Sequence, residues 1–261
     1  GVDIPVDGQV AWDDSQTYVA RGIQGFEIAG LIRYLDTNTY YRQPEIVGSI
    51  GWTRPITVAD FKRAQSMARR PVKAVLPGPY SLYRFSKDRY YKDPAEALHA
   101  LGEALAAEAK ALEAGGAGWI HFEEPWLGRA RAADAPLVLA ALTPLFRDRT
   151  AKTVLHVPFR SPTAVFPALH DLGFSVLGLD LIEAPEAWEL IPRMPDGRAV
   201  ALGLIDARNT KLEDAAKVAQ ATFIPHVVQR PEDVIGQVDA VIISTDRGWE
   251  HVDRARPFVE A

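Results

Sequence analysis

Two rhythms of apolar residues alternate along this chain. One is a short apolar run that ends in a polar residue, and the other is a longer stretch with apolar positions three and four apart. The clearest example of the second follows Asp93, a good N-cap, with Pro94 at the first helical position and Glu96 completing a capping box. Leu98, Leu101, Leu105 and Leu112 then fall on one helical face, and Gly115-Gly116 ends the helix. The next run, Trp119-Ile120-His121-Phe122, enters Glu123-Glu124-Pro125. It reads as a buried parallel strand whose C-terminal loop carries the chemistry.

The same alternation predicts strands near residues 2, 72, 119, 153, 175, 199 and 239. Helices are expected from Asp14-Ser15 to about Phe26, from a capping-box-like start at Thr57 to about Arg70, and over 135–146, 162–172 and 212–220. Strands alternating with helices imply a parallel sheet, so the expected class is α/β, a (β/α)8 TIM-type barrel formed by a single domain over residues 1–261. Seven strands leave such a barrel one short. Either Ile46-Val47-Gly48-Ser49-Ile50, inside an irregular aromatic stretch, closes it, or the first βα unit lies outside this chain. An open doubly wound sheet is the alternative, but no glycine-rich dinucleotide turn follows the first strand.

Composition narrows the chemistry. The 261 residues are 48% hydrophobic with a net charge of −5, and no basic cluster with interleaved aromatics appears, so no nucleic acid partner is expected. The absence of cysteine removes disulfides, thiol nucleophiles and thiolate metal sites. No apolar run is long enough for a membrane span and no signal pattern opens the chain, so a soluble cytoplasmic location is expected.

Polar residues stand at nearly every strand end: Asp7 and Gln9, Glu123 and Glu124, His156, Asp180, Asp206, and Thr245-Asp246-Arg247. In a parallel barrel these ends converge on one face. Glu123 and Glu124 are adjacent, so their side chains point to opposite sides of an extended strand. The plainer alternative makes Glu124 a solvated loop charge and Glu123 a salt-bridge partner. His156 and Asp180 could share a zinc, but the site would need two further ligands. No G-x-S-x-G elbow supports serine catalysis.

Several motifs together resemble a known family. Leu76-Pro77-Gly78-Pro79-Tyr80-Ser81-Leu82, Phe85-Ser86, Tyr90-Tyr91, the DG-Q at 7–9, Ile120 to Leu127, and LGLIDARNT at 202–210 are similar to segments of the cobalamin-independent methionine synthases. The likeness is to their C-terminal catalytic barrel and to the short archaeal-type core homologues. It implies a methyltransferase of methionine biosynthesis, 5-methyltetrahydropteroyltriglutamate–homocysteine methyltransferase-like, on a (β/α)8 barrel. In that family zinc is held by a His-x-Cys strand end, a glutamate on the next strand and a late cysteine. The matching positions here are His156 and Pro158, Asp180, and Arg247. No metal is therefore expected, and His156 and Asp180 are vestigial ligand positions.

The resemblance makes His156, Glu123 and Arg247 the catalytic candidates. Asp7, Gln9, Phe85, Glu124 and Asp206 are the substrate-binding ones. Phe85 matches an aromatic beside the family's substrate, and Arg247 is expected near the lost zinc position, paired with Asp180 or Glu123. The expected partners are a small thiol or amino-acid-like substrate and a methylcorrinoid or folate methyl donor. Another polypeptide supplying the missing N-terminal strand is a further expected partner. Two alternatives stand beside methyl transfer, since fold alone does not choose among them. One is a non-catalytic paralogue or partner subunit that binds a small ligand. The other is a metal-free lyase or decarboxylase.

Overall fold

The structure is a computed structural model that describes residues 3–195 and 197–206, together with the backbone of a strand at Val241–Ile242. Among the described residues six parallel strands form the main sheet: β3 (Ala74–Pro77), β5 (Trp119–Glu123), β6 (Lys152–Val157), β7 (Val176–Asp180), β8 (Ala199–Gly203) and β9 (Val241–Ile242). They lie side by side in chain order. The first expected strand is reduced to one parallel bridge between Val6 and Lys73, which places residue 6 at the outer edge of β3. Six of the seven strand positions read from the apolar runs are thus present as strands and the first only as this bridge, and the α/β class with a parallel sheet holds. Among the described residues no ladder joins the Val6 edge to β9, so the sheet is not closed there.

The stretch at 30–55 is not part of this sheet. It belongs to a long antiparallel hairpin, β1 (Gln24–Arg33) with β2 (Tyr40–Gly51), to which the short β4 (Lys87–Asp88) adds in parallel. The segment Ile46–Ile50 therefore does not close a barrel among the described strands. Helix α1 (Ser15–Gly22) stops before the expected Phe26, because Gly25 takes a positive φ and the chain turns into β1. There a Cβ would press on the carbonyls of Gly48 and Ser49 across the hairpin.

The helices pack where their apolar stripes predict. In α4 (Pro94–Ala114) the side chain of Asp93 accepts from the Ala95 N–H, and Leu98, Leu101, Leu105 and Leu112 are all buried. Helix α5 (Ala135–Phe146) lies against α4, and Gly102 permits the approach, since a Cβ there would meet the Ala141 carbonyl at 2.3 Å. The stretch expected as a helix over 162–172 shortens to α6 (Phe166–Leu169), and the segment expected at 212–220 lies outside the described residues. Helix α2 (Val58–Met67) does form, but Thr57 does not cap it with its side chain. The Thr57 hydroxyl donates to Glu108 instead.

Candidate functional site

Parallel register determines which side chains share the inner face of the sheet. His121 pairs with Val75 and Val154, Glu123 with Pro77 and His156, and His156 with Gly178. Directly paired residues of adjacent strands point the same way. His121, Glu123 and His156 consequently meet at the C-terminal end of β5 and β6. The His121 Nε2 lies 3.9 Å from Glu123 Oε1, and the two imidazoles meet edge to face at 5.0 Å. Gly178 leaves room for this pair, because a Cβ there would come within 2.8 Å of the His156 ring. Below them Val154, Val176 and Ala201 form a small apolar floor beside Trp119. Glu123 is the open member of the group, with about a third (37%) of its side chain exposed.

Burial sets the charge state of this cluster. His156 is pushed down from 6.5 to about 3, first by burial and then by the nearby Lys73 ammonium. His121 is driven well below its ordinary range by burial, with Lys73 and His156 adding to it. Lys73 is itself lowered to about 8 by burial, partly opposed by the Glu123 carboxylate. The two histidines are therefore neutral at physiological pH. A base whose folded pKa lies below its unfolded one stabilises the fold above the unfolded pKa, and that stability is lost as pH falls. Between pH 6.5 and 3 the protonation of His156 should thus weaken the fold. Replacing His156 by asparagine should flatten urea-derived stability across that window, whereas an unchanged slope would mean that His156 protonates as freely in the folded state as in the unfolded one.

The remaining sequence candidates separate. Glu124 is not a solvated loop charge, since it is completely buried. Its carboxylate accepts from the Tyr80 and Ser81 N–H groups at 2.9 and 2.7 Å and from the Ser81 hydroxyl, at the start of α3 (Pro79–Phe85). Gly78 is required beside it, because a Cβ there would stand 2.2 Å from the carboxyl group. Asp180 accepts from the N–H groups of Phe159, Ile182 and Glu183 at 3.0, 3.1 and 2.9 Å. Asp7 is raised from 3.8 to about 6, mainly by burial with the nearby Asp60 carboxylate adding to it, and its Oδ1 accepts from the Gln9 N–H at 3.3 Å. Gln9 occupies the turn that follows at a positive φ of 48°. Asp206 is half-buried beyond the end of β8. Arg247 lies outside the described residues.

Phe85 is packed inside the protein. It is 3% exposed, stacked on Tyr34 at 4.8 Å and edge-on to Tyr41 and Trp126, and its carbonyl accepts from the Tyr41 hydroxyl at 2.8 Å. This cluster fastens the β1–β2 hairpin to α3. Phe85→Leu is expected to cost about 1–2 kcal/mol, the worth of its ring–ring contacts with little change in volume. A chemical denaturation series would show this, and a stability loss under half a kcal/mol would release Phe85 for a role at the substrate.

His121 and Lys73 were not candidates on sequence grounds. The signal for His121 was available: alternation along Trp119-His121-Glu123 places the histidine on the same face as the carboxylate. Lys73 had no comparable signal, because its proximity depends on which strand neighbours β5.

The zinc set implied by the motif resemblance does not fit these residues. Pro158 has no ligand atom in its side chain, and the Asp180 carboxylate is engaged by three backbone N–H groups.

Fold and site together define a parallel α/β protein with its polar cluster at the C-terminal ends of adjacent strands, an arrangement typical of enzymes of this architecture. Residues 7–226 match the family described as cobalamin-independent synthase, N-terminal domain, and the chain belongs to the cobalamin-independent methionine synthase family. The methionine synthase of Saccharolobus solfataricus is 29% identical over 221 residues, covering 84% of this chain and 66% of that protein. That of Sulfurisphaera tokodaii is 26% identical over 227 residues, covering 84% and 64%. The chain thus spans just under two thirds of the length of these relatives. A B12-independent methionine synthase from Shewanella sp. W3-18-1, solved in complex with selenomethionine, superposes with a TM-score of 0.78 at 23% identity, over 98% of this chain and 80% of that one. This last likeness shows the fold. Among the described residues no helix is long and apolar enough to cross a membrane.

Proposed function

We propose that this chain is a methyltransferase that passes a methyl group to a small thiol or amino-acid-like acceptor at the C-terminal mouth of the sheet. In this reading the six described strands and the Val6 edge form the main arc of a (β/α)8 barrel. The observation that carries the proposal is the in-register meeting of Glu123 and His156, with His121 beneath them, in a member of a methyl-transfer family. Glu123, about a third open to solvent, suits the ammonium of an amino-acid-like substrate. The neutral imidazoles offer nitrogen atoms that carry no positive charge of their own. The Shewanella neighbour's complex with selenomethionine, an amino acid with a methylated chalcogen, accords with that substrate class. Arg247, Gln9 and Asp206 remain proposed contributors at the same mouth, and a folate or a methylcorrinoid is the proposed donor.

Purified protein incubated with homocysteine and either donor should yield methionine by mass spectrometry. Glu123→Gln should reduce turnover by roughly 10²–10⁴-fold if the carboxylate takes up the thiol proton. It should also weaken homocysteine binding in a calorimetric titration. Homocysteine binding without transfer from either donor would favour the non-catalytic, ligand-binding alternative. Transfer that is indifferent to Glu123→Gln would move the site elsewhere.

A further inference from the structure

His121, Glu123 and His156 form a donor set of their own. Each offers one ligand atom, and these atoms all lie within 4.8 Å of one another. It is the one such group among the described residues. Both ring nitrogens of His121 and the Nδ1 of His156 are buried and make no hydrogen bond to the described residues. Buried polar atoms are nearly always paired, so three orphaned nitrogens on two touching rings call for a partner. The apolar floor of Val154, Val176 and Ala201 supplies none.

We propose that His121, Glu123 and His156 bind a divalent transition-metal ion, zinc by their donor chemistry, at the mouth between β5 and β6. Two imidazoles and one carboxylate form a recognised set of three protein ligands for zinc, leaving a fourth position for water or an exogenous donor. Donors about 2.0–2.1 Å from a tetrahedral ion stand roughly 3.3 Å apart. The His121–Glu123 pair at 3.9 Å is near that spacing already, and the widest pair closes by under about 1.5 Å through side-chain rotation. This site shares His156 with the ligand set implied by the motif resemblance, but it recruits β5 rather than β7. Asp180, held by backbone N–H groups, plays no part. The Lys73 ammonium opposes a dication in this place, so the site is weaker than it would be without that charge. The site does not depend on the methyl-transfer reading, and its test involves no turnover.

The full chain, stripped with chelator and dialysed, would be titrated with Zn²⁺ alone by calorimetry and with Co²⁺ by visible absorption. One ion per chain is expected. His121→Gln and Glu123→Gln should each weaken binding by more than the roughly 10–100-fold that loss of an outer-sphere partner costs. Asp180→Asn should leave affinity within about threefold, because its carboxylate is not a ligand here. Lys73→Met should tighten binding by roughly tenfold. Long-range ¹H–¹⁵N spectra of the unaltered protein should shift two of its six histidines on adding Zn²⁺, which keeps the test independent of variant folding. No stoichiometric binding, or binding that survives both His121→Gln and Glu123→Gln, overturns the proposal. Binding abolished by Asp180→Asn alone also overturns it, in favour of a β6–β7 site. Failure of methyl transfer leaves each of these readouts intact.

Discussion

Replacing Glu124 with alanine is expected to destabilise the protein by about 3–5 kcal/mol, because two backbone N–H groups and a hydroxyl lose their acceptor in a fully buried place. Those donors belong to the first turn of α3, where unpaired N–H groups and the helix dipole favour an anion. Burial nevertheless outweighs the three hydrogen bonds and lifts the carboxyl from 4.5 to about 7. An acid whose folded pKa is raised contributes most while protonated. Its contribution is complete below about pH 4.5 and is lost as pH rises through about 7. The effect is opposite in sign to that of the buried histidines, so the two partly cancel in the native protein across pH 4.5 to 6.5. Glu124→Gln cannot titrate. Between pH 4.5 and 8 its stability should improve relative to the native chain by roughly 3 kcal/mol. Urea midpoints at four pH values would measure this, and a difference that stays constant with pH would mean that Glu124 ionises in the fold as easily as in the unfolded chain.

Glu108→Ala is expected to cost a similar amount, about 3–5 kcal/mol, through a different part of the fold. This carboxylate on α4 is completely buried and accepts from the Trp52 indole at 2.8 Å, the Ile56 N–H at 2.9 Å, and the Thr57 N–H and hydroxyl at 2.7 and 2.9 Å. Together they hold the connection between β2 and α2, and with it the exit of the long hairpin, against the helix layer. Alanine would leave four donors facing an apolar helix. Glu108→Gln keeps one acceptor and should recover part of the loss. Hydrogen exchange at Ile56 and Thr57 should quicken in the alanine variant well before global unfolding. Protection retained at both amides would mean that the connection is held by other contacts.

These two glutamates mark the boundary between what was legible and what was not. Glu123 and Glu124 are neighbours in the chain, and alternation alone required them to face opposite ways. It could not tell which would meet histidines and which would cap a helix. That assignment needed the start of α3 to arrive against β5, with Gly78 giving the clearance. Glu108 lies on the helix with the clearest apolar face in the chain, and a charge there reads from sequence as a solvated position. Only the connection folded over it supplies its four donors. Phe85 has the same history: its motif suggested a substrate contact, while the hairpin supplied Tyr34 and Tyr41 to enclose it.

By itself the sequence determined the order and type of the main-sheet elements, because buried strands and amphipathic helices differ in their apolar period. It also determined that this chain supplies no thiolate of its own, because it has no cysteine. The tertiary structure decided that the aromatic stretch is a separate hairpin, that Asp180 serves the backbone, and that His121 joins Glu123 and His156. Each of these depends on strand register and on which element covers which. Such pairings join residues tens of positions apart, and the local pattern of a single chain carries no record of them.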